Sequence, residues 1–271
     1  MTIRLRIIDD GPHCAAFNMA ADLFLMESCI HGNVVIVRFY EWSPASITMG
    51  YMQKVTEILD LSAMEKNNVA WARRPTGGRA VLHDNDITYS CIFPATITGM
   101  GKTVMDTYAV ISHCLMAGLT KAGIQCAAGD CFDQLRETRR DVKLPCFLAP
   151  NRNEIMVGGR KLVGSAQKRS ARAVLQHGCL PCTEAYRALP DYLQLSAPQR
   201  AIQKQLLAEK SICLREIEPG LKPARVKRAL IEGFAETLSF PADESPWTNE
   251  EIEKIEALAR SREFKEKWLS A

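Results

Sequence analysis

The residue types that could do chemistry in this sequence are concentrated in three short polar segments. The first runs from Arg73 to Asp84 and holds the adjacent glycines Gly77 and Gly78. Paired glycines let a backbone approach a ligand closely and point N–H groups at an anion or a carbonyl oxygen, and arginines add charge-assisted donors. Read alone, the segment also fits an ordinary hairpin with a polar rim. Its candidate binding residues are Arg73, Arg74, Thr76, Gly77, Gly78, Arg79 and His83.

The second segment covers residues 158–169 and contains Lys161 close to a glycine pair. Strand alternation predicts that Lys161 shares one face with Val163 and Ser165. A basic residue then points where an apolar one is expected, although a lysine near a turn is also typical of a solvated surface. The third segment centres on His177, which either serves a site or is a hydrogen-bonded core histidine.

The elements that must position these segments are amphipathic helices and β-rich runs. The predicted helices cover 15–31, 57–66, 103–122, 222–238 and, after a capping box of Thr248 and Glu251, a stretch ending near Trp268. The predicted strands cover 34–40, 45–49, 69–74, a hairpin over 80–93, a hairpin over 153–167 and a strand at 172–180. The apolar face of the first helix is formed by Met19, Leu23, Met26 and Ile30. We predict a catalytic domain at 1–215 and a helical C-terminal extension at 216–271 packed on it.

The longest predicted loop covers residues 126–152 and contains Cys146 between two prolines. Long loops in compact domains are often functional, and a cysteine thiolate is a strong nucleophile. The chain has 10 cysteines, however, so a cysteine in a loop is weak evidence by itself. The Cys179–Cys182 pair lacks a second ligand pair at zinc-finger spacing, and we interpret it as structural.

Composition excludes several classes of protein. A net charge of +3 over 271 residues falls short of the basic stripe of a nucleic-acid binder, although it permits a local basic face for an acidic partner. The sequence contains no apolar run of about 18 residues and no signal-peptide pattern, so we expect a cytoplasmic protein without membrane association. Its cysteines are then expected to stay reduced.

Taken together and in order, the segments resemble the biotin/lipoate protein ligase superfamily, in its branch of lipoate ligases and octanoyltransferases. The motifs are Arg-Arg-x-Thr-Gly-Gly followed by His-Asp, then Gly-Arg-Lys-x-x-Gly-Ser-Ala-Gln-x-Arg, then Leu-Gln-His-Gly. The resemblance extends from Ile8 to about residue 182 and more weakly to the end. It implies an α/β fold in which a mixed, largely antiparallel sheet is flanked by helices, with the acyl chain in an apolar tunnel beside the glycine turn.

Two activities occur on this fold. A ligase activates a free acid with ATP and Mg²⁺, whereas a transferase takes an acyl group from a carrier thioester and needs a nucleophile. In one class of octanoyltransferases the nucleophile is a loop cysteine upstream of the Gly-Arg-Lys strand, and Cys146 matches that place. Arg79 replaces a glycine usual in ligases, and Asn85-Asp86 replaces a Gly-Asn pair. We therefore expect a transferase without a cofactor, with the ATP-dependent ligase as the alternative and a non-catalytic acyl- or lipoyl-domain-binding protein as the second.

The resemblance implies specific roles and partners. Cys146 is the expected nucleophile and Lys161 its activator, with oxyanion stabilisation by backbone groups near Gly77, Gly78 and Gly164. The expected donor is octanoyl-acyl carrier protein, and the acceptor is a lysine of a lipoyl domain or a glycine-cleavage H-type protein. No metal, nucleic acid or membrane is expected to take part. The remaining substrate-binding candidates are Arg73, Arg74, Thr76, Arg79, His83, Ser165, Gln167 and His177.

Overall fold

Strands and helices alternate along the chain in the computed structural model, which describes residues 2–129, 145–148 and 154–270. The strands are β1 (Arg4–His13), β2 (Val34–Trp42), β3 (Ser46–Met49), β4 (Ala70–Arg73), β5 (Val81–His83), β6 (Asp86–Pro94), β7 (Ala127–Gly129), β8 (Glu154–Val157), β9 (Arg160–Arg169), β10 (Ala173–Pro181) and β11 (Ala242–Glu244). The helices are α1 (Ala15–Ser28), α2 (Val55–Ile58), α3 (Leu61–Lys66), α4 (Val104–Lys121), α5 (Ala197–Lys210), α6 (Leu214–Ile217), α7 (Pro223–Leu238), α8 (Asn249–Arg260) and α9 (Arg262–Trp268). Short 3₁₀ helices cover Cys29–His31, Cys146–Leu148 and Glu184–Tyr192.

The described strands form two sheets. The larger has the order β11-β1-β2-β6-β10-β9-β8-β7, and the smaller has the order β4-β3-β5. In the larger sheet, β1 pairs in parallel with β2 and β11, while the other neighbouring strands pair antiparallel. The prediction of a mixed, largely antiparallel sheet flanked by helices is confirmed.

Helices cover both faces of the larger sheet. On one face, α4 and α7 enclose the main core, to which the sheet contributes Phe39 and Cys91. The two helices approach closely because each presents a glycine: a Cβ at Gly118 would lie 2.6 Å from the Leu230 Cα, and one at Gly233 would lie 2.4 Å from the Gly118 nitrogen. On the other face lies α1, which is covered in turn by α8 and α9.

The predicted hairpin over 80–93 is wrong. β5 pairs with β3 in the small sheet, while β6 lies between β2 and β10 in the large one. Asn85, with a φ of 53°, turns the chain between the two sheets. A turn signal between two β-rich runs specifies a change of direction, but it does not specify which strands then pair.

Several helices differ from their predicted extent. The capping box of Thr248 and Glu251 is present, but the helix that it begins ends at Arg260, because the Ser261 side chain caps a separate helix by accepting a hydrogen bond from the Phe264 N–H. The predicted helix at 57–66 is split likewise by Asp60, which caps α3. Among the described helices, none is long and apolar enough to cross a membrane.

The first helix is buried on more than its predicted apolar face. Met19 is buried, but Leu23, Met26 and Ile30 are only half-buried. The fully buried side instead includes Asn18 and Asp22, which are polar. Packing of α8 and α9 against the outer side of α1 explains the difference, because a helix covered on both sides no longer shows its orientation through apolar spacing alone.

The predicted domain boundary near residue 215 stays a prediction. Beyond it, Val226, Leu230 and Phe234 of α7 belong to the main core, and β11 extends the large sheet beside β1. The segment after residue 215 is therefore built into the same scaffold as the strands that precede it.

Candidate active site

A narrow apolar cavity lies between α1, the small sheet and strands β9 and β10. Five of the predicted site residues contribute to its wall: Arg74, His83, Gly164, Ser165 and His177. The other lining residues are Met19, Tyr40, Trp42, Thr48, Val81, Thr88, Ala166, Gly178 and Cys179. The structure thus brings the three polar segments to one apolar cavity.

Arg74 fixes the glycine turn from within the protein. Its guanidinium is almost fully buried and donates to the carbonyl oxygens of Gly77 and Arg79, each at 2.8 Å, and to that of Thr48 at 3.0 Å. Because a C=O and the following N–H of a trans peptide point in opposite directions, Arg74 also sets the direction of the N–H groups of Gly78 and Ala80. Arg74 is therefore a structural clamp of the turn as well as a cavity residue.

Two hydrogen-bonded chains hold Arg74 in place, and the first begins at Asp22. The Asp22 carboxylate lies 2.9 Å from His177 Nδ1, and His177 Nε2 lies 2.7 Å from the Thr76 hydroxyl. An ionised carboxylate only accepts hydrogen bonds, so the Nδ1 carries the proton and Nε2 accepts from Thr76. The Thr76 oxygen in turn accepts from Arg74 Nε at 3.1 Å.

The second chain has the same chemistry and begins at Asp86. Its carboxylate lies 2.7 Å from His83 Nδ1, and His83 Nε2 lies 3.0 Å from the Thr48 hydroxyl. The Thr48 oxygen accepts from Arg74 Nη1 at 3.3 Å. Two carboxylate–histidine–threonine chains therefore converge on one guanidinium, which explains the burial of these polar groups.

Burial lowers the pKa of His177, against the opposing influence of Asp22. The folded protein therefore keeps His177 neutral at pH values where an unfolded histidine, with a pKa of about 6.5, takes up a proton. Stability is expected to fall as the pH decreases below about 6.5, by at most about 1.4 kcal/mol per pH unit for one proton. Chemical denaturation between pH 7 and 5 should show a smaller decrease in His177→Asn, and an unchanged decrease would contradict the neutral His177.

The glycine turn packs directly on the turn that follows β3. The Tyr51 N–H donates to the Thr76 carbonyl at 2.9 Å, and a Cβ at Gly50 would lie 2.0 Å from the Gly78 oxygen. We expect Gly50→Ala to cost about 1–3 kcal/mol in the free energy of unfolding, because the backbone must move. Gly77→Ala is the matched control for stability, since its Cβ would have no atom within 4 Å. Equal stability of the two variants in urea denaturation would show that this contact is not tight.

Lys161 is buried, not a surface lysine. It is 1% exposed, and its Nζ donates to the Glu154 carboxylate at 2.9 Å. Its Nζ also lies 5.6 Å from the centre of the Phe147 ring, and a Cβ at Gly164 would be 3.6 Å from both Lys161 Cε and Phe147 Cζ. Lys161 and the short helix Cys146–Leu148 therefore meet at Gly164, in the wall of the apolar cavity.

The predicted strict alternation along β9 is wrong. The pairing of β8 with β9 shifts register, with Ile155 opposite Val163 and Met156 opposite Lys161, so that Leu162 is an extra residue. Leu162 and Val163 consequently enter the same core cluster. The bulge turns Lys161 away from that core toward Glu154, which spacing along β9 alone could not reveal.

The Cys146 side chain lies outside the described part of the structure, so its role stays a prediction. Its backbone begins the 3₁₀ helix Cys146–Leu148, directly before Phe147. Burial raises the thiol pKa of six other cysteines, to about 11 for Cys29 and about 12 for Cys114 and Cys182; the remaining three are Cys91, Cys126 and Cys213. These six stay protonated at neutral pH and are poor nucleophiles.

Several predicted binding residues surround the cavity without being part of its wall. Arg73 donates to the carbonyl oxygens of Tyr51 and Gln53 and so braces the turn after β3. Gln167 donates to Gln176 Oε1 at 2.9 Å and holds β9 against β10. Gly77 and Gly78 lie at the surface of the glycine turn, and Arg79 is half-buried beside them.

One group of described residues has the composition of a metal site. Potential ligand atoms of His83, Asp86 and Cys179 lie within 4.8 Å of one another, and all three residues are buried. Histidine, carboxylate and thiolate are zinc ligands, but here His83 and Asp86 hydrogen-bond each other and the Arg74 chain. The geometry therefore supports a positioning role, and the expectation of a site without a metal stays a prediction.

Sequence reasoning missed the residues that support the site from neighbouring elements. Asp22 and Asp86 anchor the two chains, and Trp42 stacks on His83 with ring centres 4.3 Å apart. Polar residues at Asn18 and Asp22, four apart inside a largely apolar helix, were the available signal. Asp22 also lies 3.5 Å from the buried Arg38 guanidinium, so its charge is compensated.

Comparison with known proteins relates the chain to one family. Residues 14–235 match the model of the lipoyl protein ligase A/B catalytic domain. Octanoyltransferase LipM of Geobacillus kaustophilus is 34% identical over 97% of this chain and 96% of its own. Octanoyltransferase LipM of Kyrpidia tusciae is 36% identical over 93% of this chain and 94% of its own. LipM of Bacillus subtilis is 32% identical, again over nearly both full chains.

Solved structures share the fold. A lipoate-protein ligase A bound with ATP superposes with a TM-score of 0.75 at 25% identity, covering 96% of this chain and 94% of that one. A bipartite lipoate protein ligase of Thermoplasma acidophilum gives a TM-score of 0.77 at 23% identity, covering 97% of this chain and 96% of that one. Both structures share the fold of this chain over nearly its full length.

Proposed function

Since this chain belongs to the lipoyl protein ligase A/B catalytic-domain family, we propose that it is an octanoyltransferase of protein lipoylation that works through an acyl-cysteine. It takes octanoyl from octanoyl-acyl carrier protein and transfers it to a lysine of a lipoyl-domain or glycine-cleavage H-type protein. The observation that carries the proposal is the meeting of Lys161 and the Cys146–Leu148 helix at Gly164, in the wall of the apolar cavity.

In the first step, the Cys146 sulfur attacks the thioester carbonyl, and the bond to the carrier sulfur breaks. The Cys146 proton passes through the Lys161 amine to the departing carrier thiolate. The Lys161 ammonium, held by Glu154 at 2.9 Å, is the charge that favours the thiolate form of Cys146. Backbone N–H groups near Gly78 and Gly164 stabilise the oxyanion that forms on the carbonyl oxygen.

In the second step, the acceptor lysine amine attacks the acyl-cysteine, an amide bond forms and the Cys146 thiolate leaves. The proton lost by the amine returns through Lys161 to Cys146, which restores the enzyme. Exchange between two thioesters is nearly balanced in free energy, whereas amide formation is strongly favourable and makes the transfer irreversible. The acyl chain stays in the cavity beside Met19, Val81 and Gly178 through both steps.

The choice of acyl donor distinguishes the transferase from the ligase. The purified protein is incubated with an apo lipoyl domain and either octanoyl-carrier protein without ATP, or free octanoate or lipoate with ATP and Mg²⁺. The proposal expects modification of the lipoyl domain by the first mixture only, measured by intact mass spectrometry. The reverse pattern supports the ligase alternative, and modification by neither supports a binding protein.

A further inference from the structure

A patch of aromatic, apolar and basic side chains that are exposed or partly exposed lies beside the glycine turn. We call it the mouth patch and define it by Tyr51, Met52, Arg73, Lys168 and Lys267. Met52 is 85% exposed and Tyr51 is 43% exposed, and the two are neighbours in one turn. The patch brings together the turn after β3, strand β9 and the last helix, α9.

Stacked contacts fix the two lysines near each other. Lys168 Nζ lies 5.7 Å from the Tyr51 ring centre, and Lys267 Nζ lies 5.0 Å from that of Trp268. The two rings are themselves in contact, with centres 5.9 Å apart. Within the described part of the chain, neither lysine forms an ion pair with a carboxylate. Two ammonium groups thus lie close together, and no carboxylate of the described residues pairs with either.

The electrostatics of this pair favour an anionic ligand. Burial and the charge of Lys267 both lower the pKa of Lys168, so the like charges repel in the isolated protein. An anion bound between them would relieve that repulsion and form charge-assisted hydrogen bonds. Arg73 adds a third cationic group from the adjacent β4, where its guanidinium braces the turn that carries Tyr51.

The patch is continuous with the reacting groups. Lys168 is two residues along β9 from Ala166, so that the two lie on the same face of the strand, and Ala166 lines the cavity. The Tyr51 N–H is hydrogen-bonded to the Thr76 carbonyl in the glycine turn. The patch and the cavity therefore flank the same glycine turn.

From this geometry we infer that the mouth patch binds the phosphate of the donor's prosthetic arm, with Met52 contacting the carrier domain. This inference rests on the proposed octanoyltransferase function. The acyl-carrier arm bears a phosphodiester between its thioester and the protein, so an anion must lie outside the cavity when the acyl group lies inside. The acceptor instead presents a cationic lysine, which the same charges repel. The patch is therefore a donor site.

Three octanoyl donors test the inference: octanoyl-pantetheine without a phosphate, octanoyl-phosphopantetheine, and octanoyl-carrier protein. Acylation of the enzyme is followed by intact mass in wild type and in Lys168→Glu/Lys267→Glu. The double variant should raise the KM for both phosphate-bearing donors about 10- to 100-fold, because two charge-assisted contacts become repulsive. The KM for octanoyl-pantetheine and for the acceptor should change less than about twofold, since neither places an anion on the patch.

Lys66→Glu/Lys222→Glu is the matched control, because it makes the same change in net charge at exposed positions on α3 and before α7. An equal effect of both double variants would overturn the phosphate site in favour of non-specific attraction. A larger KM for the carrier protein alone would assign the patch to the carrier surface and also overturn the inference. Failure of wild type to accept any donor would refute the proposed function itself. Failure of the phosphate site and failure of the proposed function therefore give different results.

Discussion

Replacing Lys161 with alanine is expected to slow acylation of Cys146 by about 10²- to 10⁴-fold, because the proton carrier of both transfer steps is lost. The same change leaves the Glu154 carboxylate buried without its ammonium partner at 2.9 Å. Removing one partner of a buried ion pair typically costs about 3–5 kcal/mol. Single-turnover acylation and urea denaturation measure the two effects separately.

A paired variant distinguishes chemistry from stability. In Lys161→Met/Glu154→Gln both charges are absent, so most of the lost stability should return. The acylation rate should remain low, because methionine neither carries a proton nor favours a thiolate. If the double variant acylates at the wild-type rate, Lys161 is only a structural partner of Glu154 and the proposed mechanism is wrong.

Replacing Arg74 with lysine is expected to impair both the fold and the reaction. One ammonium cannot reach Gly77, Arg79, Thr48 and Thr76 together, whereas the guanidinium donates to all four. Each buried acceptor left without a donor costs about 1–3 kcal/mol, so we expect a loss of about 2–4 kcal/mol in the free energy of unfolding. With the glycine turn no longer fixed, acylation should slow by at least about 100-fold.

The control for Arg74→Lys is Arg172→Lys, at a side chain that is 65% exposed. Surface substitutions of this kind usually change stability by less than about 0.5 kcal/mol. Urea midpoints give the stability change if the slope with denaturant is unchanged, and the rate is measured where both variants are folded. Equal stability and equal rates in the two variants would contradict the clamp assigned to Arg74.

Much of the scaffold could be predicted from local signals. β-branched runs identified β2, β3 and β4, and the capping box identified the start of α8, because these patterns depend on neighbouring residues. The sheet to which β5 belongs could not be predicted in this way, since its partner β3 is about 35 residues away. The extent of burial of α1 depended on α8 and α9, which follow more than 200 residues later.

In the candidate site, too, some residues could be identified from the sequence and others only from the structure. Motif order identified Arg74, His83, Gly164, Ser165 and His177, and the structure places all five around one cavity. The supporting carboxylates Asp22 and Asp86 were missed, because hydrogen-bonded chains of this kind form only once the fold brings their elements together. Lys161 was identified, but its burial and its pairing with Glu154 follow from a β-bulge at Leu162.

The central claim is an octanoyl group carried on Cys146, and Cys179 is its strongest competitor because that thiol lines the acyl cavity. Intact mass spectrometry after incubation with octanoyl-carrier protein, without ATP, measures the claim directly. Wild type and Cys179→Ser should each gain one octanoyl group, and Cys146→Ser should gain none. An adduct that persists in Cys146→Ser and disappears in Cys179→Ser would contradict the account.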